Sequence, residues 1–121
     1  MAVVGFLVKV AAFLLIFTAN IWADNHSLSV SDKLFKEATD LVKSRKYEKA
    51  VKIFEELANS KEHDAQYNLA ILLKAGKGKT KNYTDALYWS FLSKLGEIPE
   101  ANDLVDDLID LLPEKTVEEI R

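Results

Sequence analysis

Apolar residues recur at three- and four-residue spacing through most of the chain, and that recurrence predicts a succession of amphipathic helices. After a short polar stretch, His26 to Val30, Ser31 reads as an N-cap with Asp32 in the first turn. Leu34, Phe35, Ala38, Leu41 and Val42 then share one face, and the cations Lys43, Arg45 and Lys46 close that helix. A second helix is predicted from Tyr47 to Asn59, with Tyr47, Ala50, Val51, Phe54, Leu57 and Ala58 inward. Asp64 caps a third, with Ala65, Leu69, Ala70, Leu72 and Leu73 inward, and Gly76-Lys77-Gly78-Lys79 stops it. Thr84 caps a fourth, carrying Ala86, Leu87, Tyr88, Trp89, Phe91, Leu92 and Leu95, with Gly96 at its end. Pro99 suits the first position of a fifth, whose stripe runs Ala101, Leu104, Val105, Leu108, Ile109, Leu111 and Leu112 to Pro113. A short last helix, Thr116 to Ile120, offers Val117 and Ile120 for docking. No segment alternates at strand period, so the expected class is all-α.

Residues 3–23 show a different pattern, nearly continuous apolar sequence interrupted by Lys9. The run from Val10 to Ala19 has the length of a signal-peptide core, and Ala23 is small enough for a cleavage site. The alternatives are a retained anchor, since about 20 apolar residues can cross a bilayer and a lysine near one end can snorkel, and a buried helix of the folded domain. A signal or an anchor predicts export to the periplasm, the exterior or a secretory lumen, with 24–30 as linker. Contact with a membrane is expected only if the segment is retained.

Composition narrows the chemistry. The chain of 121 residues is 49% hydrophobic and 29% charged, and its length suits one domain. It has no cysteine, which removes disulfides, thiol catalysis, cysteine-ligated metals and a lipidated N-terminal cysteine. Nineteen acidic residues against sixteen basic ones leave a formal charge of −3, which argues against sequence-independent nucleic-acid binding.

The chain also echoes itself. Tyr47 and Tyr83, Ala50 and Ala86, and Ala65 and Ala101 are each 36 residues apart. Phe35 and Tyr67, Ala38 and Ala70, and Leu41 and Leu73 pair at an offset of 32, the difference falling in the loop around Lys77 to Lys81. An offset that changes only at a loop is the mark of diverged helical hairpins. The segment AQYNLAILLKAGKGKTKNYTDALYWSFLSKLGEIPEA then resembles a Sel-one-like repeat, a relative of the tetratricopeptide repeat. The resemblance rests on Ala65, Asn68-Leu69-Ala70, Gly76-x-Gly78, Ala86, Trp89, Gly96 and Ala101, with Ala70 where the family usually has glycine. Residues 31–64 are more like a plain tetratricopeptide hairpin, and the ending from Ala101 resembles the closing helices of such arrays. The resemblance implies a short right-handed α-α superhelix: one hairpin repeat over 31–62, a second over 63–98, and capping helices over 99–121.

Candidate catalytic groups do not assemble. Gly78-Lys79-Thr80 lacks the glycine five residues earlier, where Leu73 stands, and comes after a helix rather than a strand, so it is no phosphate loop. The lysines 74, 77, 79 and 81 read as a solvated connection or a contact for an acidic partner or lipid headgroups. Asp103, Asp106, Asp107 and Asp110 read as the polar face of the fifth helix. His26 and His63 lack a second ligand at metal spacing, no serine-histidine-aspartate set is apparent, and Trp89 is expected in the core. Asn25-His26-Ser27 and Asn82-Tyr83-Thr84 fit the glycosylation acceptor pattern.

The expected activity is therefore protein–protein interaction, as a scaffold or adaptor, with no enzyme activity, cofactor or metal. Stacked hairpins line their concave side with the first helix of each pair. On the third helix, Tyr67, Asn68, Ile71 and Lys74 are the residues least needed inside, and they are the candidate surface for another protein or a peptide. The alternatives are a membrane-tethered subunit of an envelope complex, or a small envelope enzyme. Two repeats are few for a free-standing array, so the last helices are expected to cap it unless an oligomer completes the stack.

Overall fold

The computed structural model describes residues 28–121, and all its regular structure there is helical. The segment assigned to a leader, 1–23, and most of the 24–30 linker lie outside the described residues. The helices are α1 Val30–Lys43, α2 Tyr47–Asn59, α3 His63–Ala75, α4 Tyr83–Leu95, α5 Ala101–Leu111 and α6 Glu114–Ile120. Residues Ser31–Arg121 make one compact unit. Among the described residues no helix is long and apolar enough to cross a membrane.

Four of the five connections begin with the same turn. At the end of α1 the Arg45 N–H bonds the Val42 carbonyl and the Lys46 N–H bonds that of Leu41, with Arg45 left-handed at φ 60°. Lys61 after α2 (φ 66°), Gly76 after α3 (φ 68°) and Glu97 after α4 (φ 63°) repeat the paired bonds. This is the Schellman ending, which satisfies the last carbonyls of a helix and reverses the chain within a few residues. The sequence marks it with glycine once only, at Gly76. Gly96, expected as the stop of α4, has φ −80° and sits one residue before the left-handed position. Its lack of a side chain serves another contact: a Cβ there would stand 2.0 Å from the His63 ring.

Helix starts also differ from expectation. α1 begins at Val30, so Ser31 lies inside its first turn. α3 begins at His63, because the turn after α2 is so tight that the Glu62 carbonyl already receives the Gln66 N–H; Asp64 is its second residue rather than its cap. α4 is capped by Asn82, not Thr84: the Asn82 Oδ1 accepts the Asp85 N–H at 3.0 Å and its Nδ2 donates to the Asp85 carboxylate at 2.9 Å. Pro99 falls in the turn before α5, and α6 starts two residues earlier than predicted, directly after Pro113.

Packing is sequential and centres on α4, which meets α3, α5 and α6, while α3 also packs on α2. α3 and α4 run antiparallel, pinned at one end by the Asn82 N–H to the Leu73 carbonyl and at the other by His63 against Gly96. Phe54, Leu69, Leu87, Val105 and Leu108 are the largest apolar side chains fully enclosed. α1 joins through Phe35, whose ring meets Phe54 edge-on at 5.8 Å, and α6 through Val117. Alanines 38, 50, 65, 70, 86 and 101 are wholly buried, one or two in each of α1 to α5, which lets neighbouring helices approach closely.

The inward face of α4 departs most from the sequence reading. Ala86, Leu87, Ser90 and Ser93 are buried, while Tyr88 and Leu95 face solvent. The serine hydroxyls donate to carbonyls of their own helix, Ser90 to Leu87 at 2.8 Å and Ser93 to Ser90 at 2.9 Å. Among the described residues burial therefore leaves no side-chain polar atom unpartnered, and the two serines fit where three helices converge on α4.

Candidate functional site

Two surfaces present chemistry. The first is the α3 strip of Tyr67, Asn68, Ile71 and Lys74. It lies beside α5 rather than standing clear. Tyr67 is half-buried against the core, and burial, reinforced by the carboxylates of Glu100 and Asp103, raises its phenol above the ordinary tyrosine pKa. Lys74 reaches Asp107 of α5 at 3.4 Å. The Asn68 Nδ2 donates back to the Asp64 carbonyl at 2.8 Å, so its amide is engaged one turn earlier in its own helix. Ile71, 38% exposed, is the large apolar residue that the strip offers outward.

The second surface is a groove of about 480 Å³ between the end of α2, the start of α3 and the outer face of α4. Leu95 is 78% and Tyr88 48% exposed there, and Trp89 and Leu92 are half-buried behind them. The Tyr88 and Trp89 rings meet edge-on at 5.1 Å. Gln66, itself buried, closes the inner wall. Its Nε2 donates to the Ala58 carbonyl at 3.2 Å, which leaves Oε1 to accept the His63 Nδ1–H at 2.9 Å and holds the imidazole at the rim. Lys61 and His63 border the groove, and no acidic residue lines it.

Trp89, expected in the core, thus packs on the core with one side and lines this groove with the other. An apolar count alone does not single out its neighbours, because α4 is apolar on two faces and its large residues fall on both. The spacing itself separates them: Ala86, Leu87, Ser90 and Ser93 form one stripe at helical period, which leaves Tyr88, Leu92 and Leu95 as a second. A helix apolar all round has partners on more than one side.

Asp103, Asp106, Asp107 and Asp110 are exposed along α5, outside any cleft. Among the described residues no group of three histidine or carboxylate side chains converges as metal ligands would. The loop holding Gly78-Lys79-Thr80 comes after α3, a helix. Comparison with family models, with curated proteins and with solved structures finds no match to this chain.

Proposed function

We propose that this chain is a helical-repeat module that binds another protein outside the cytoplasm, as an adaptor or as a tethered subunit of a larger assembly. The observation that carries the reading is the α4 groove. Leu95 and Tyr88 face water beside a half-covered tryptophan, and in a small all-helical domain such a surface costs solubility unless something covers it. Aromatic residues over an apolar floor are the residues that anchor protein interfaces. Lys61 at the rim fits an apolar segment flanked by an acidic residue. The internal echo at 36 and 32 residues supports a pair of related hairpins closed by α5 and α6. The apolar stretch 3–23 supports export.

The α3 strip is the second surface this reading offers, favoured by the exposure of Ile71 beside the carboxylates of α5. Site-specific photocrosslinking separates the two. A photoreactive residue is placed at Leu95, at Ile71 or, as control, at Lys33 in the full chain expressed in its own host. One dominant protein adduct from Leu95, lost in a Tyr88→Ser variant that still melts normally, is the expected result. An adduct from Ile71 alone moves the interface to α3. No adduct at either position, from a folded chain, overturns the binding role.

A further inference from the structure

The fold gathers two cationic segments separated by residues 50–73 of the chain. Residues 43–49 carry Lys43, Arg45, Lys46 and Lys49 against one acid, Glu48, and residues 74–81 carry four lysines and no acid. Gly78 makes the meeting possible. It sits at φ +79°, and a Cβ on it would fall 2.4 Å from the Tyr47 carbonyl oxygen, so only glycine lets the loop after α3 lie flat on the start of α2. Lys77 then stands over the Tyr47 ring at 5.2 Å, and Lys79 pairs with Glu55 on the next turns of α2. Between the two segments opens a shallow basin of about 870 Å³, bordered by the cations Arg45, Lys46, Lys49 and Lys79 and one carboxylate, Glu48.

Arg45, Lys46, Lys49 and Lys77 are all exposed, and among the described residues none of them forms an ion pair. Acidic residues dominate the far end of the chain instead: residues 97–121 hold nine acidic and two basic side chains. A chain of net negative charge thus holds a cluster of free cations around this basin.

We infer that this face docks on the phosphate headgroups of an anionic membrane. The chemistry of the cations favours a surface over a discrete ligand. Lysine is a hydrated point charge on a flexible stem, suited to diffuse phosphates, and the basin holds a single arginine rather than the paired forks that clamp one carboxylate or phosphate. It is wide and open, with no buried polar group aimed into it. Seven residues ahead of the helical unit the sequence carries the apolar stretch 3–23, and a basic patch joined to an apolar segment is the two-part signal that makes membrane attachment stable.

Lysine acylation, read residue by residue by mass spectrometry on the full chain, tests the headgroup contact whether or not the apolar stretch inserts. The chain is mixed with vesicles of phosphatidylcholine alone, or with about one-third phosphatidylglycerol. On anionic vesicles Lys46, Lys49 and Lys77 become about fivefold slower to label, and 0.5 M salt, at about a 4 Å screening length, removes the protection. Lys115, on α6, labels equally on both. A Lys46→Gln, Lys49→Gln, Lys77→Gln variant, changed only at exposed positions, loses whatever anionic-over-neutral difference remains at Lys79. Equal labelling on the two vesicle types overturns the inference. So does equal protection by inorganic phosphate or by polyglutamate without vesicles, which would assign the basin to a soluble anion or an acidic peptide.

Discussion

Arg45, Lys61 and Glu97 hold positive φ angles of 60°, 66° and 63°, each at the turning point that ends a helix. A left-handed L-residue costs about 1–2 kcal/mol, and glycine removes that cost while giving back part of it as unfolded-state entropy. Arg45→Gly, Lys61→Gly and Glu97→Gly should each stabilise the domain by about 0.5–1 kcal/mol, read as a rise in urea midpoint at constant slope. Gly96 predicts the opposite sign by another cause. At φ −80° alanine would suit its backbone, yet the new Cβ would overlap the His63 ring, so Gly96→Ala should destabilise the domain. In a double-mutant cycle His63→Ala should recover most of the loss, because the clash needs both side chains. Two additive effects would show that the ring is not the obstacle.

The same residues show why helix existence was readable in the sequence and helix ends were less so. The α3 stripe of Ala65, Leu69, Ala70, Leu72 and Leu73 was expected inside and is buried, and α2 spans the predicted residues. Such stripes depend on local spacing alone. The turning points do not, since any residue can be forced into the left-handed region when two backbone bonds and the packing of both flanking helices hold it there. At α4 the local rule itself failed. Ser90 and Ser93 count as polar in a periodicity, but a serine bonded to its own helix is nearly apolar in effect and small enough for a crowded position. The surfaces divide in the same way: the α3 strip could be named from spacing, whereas the α4 groove requires knowing which α4 face is covered. The cap of α4 obeys the same logic, since Asn82 does what Thr84 was expected to do. Asn82→Ala should cost about 1 kcal/mol, and Thr84→Ala should stay within about 0.5 kcal/mol, in the same denaturant titration. Where α3 meets α5, Tyr67 supplies a pH readout. Its raised pKa means that the unfolded chain loses this proton first, so stability falls as pH rises past the ordinary tyrosine value. Tyr67→Phe should reduce that alkaline loss, read from denaturant midpoints at neutral and at alkaline pH.

At the scale of the whole molecule, the question is whether α1 to α4 can stand without α5 and α6. α5 contributes Leu104, Val105 and Leu108 and α6 contributes Val117 to the same buried cluster that holds Phe54, Leu69 and Leu87. α4, the helix with most neighbours, depends on them most, since it packs on both. Removing residues 101–121 would bare the α5-facing side of α4 in addition to its already exposed groove, leaving the helix covered mainly by α3. A domain this small is expected to hold only about 5–15 kcal/mol in total. Leu108→Ala alone should remove about 2–5 kcal/mol of it, because the side chain is fully enclosed and leaves a cavity. The truncated chain should therefore keep helical circular dichroism but lose its sharp thermal transition, with α1 to α4 fluctuating as a partly packed set. An unchanged cooperative melt would mean that the core is complete at α4. It would also move α5 and α6 from closing the structure to presenting the acidic face that Lys74 meets through Asp107.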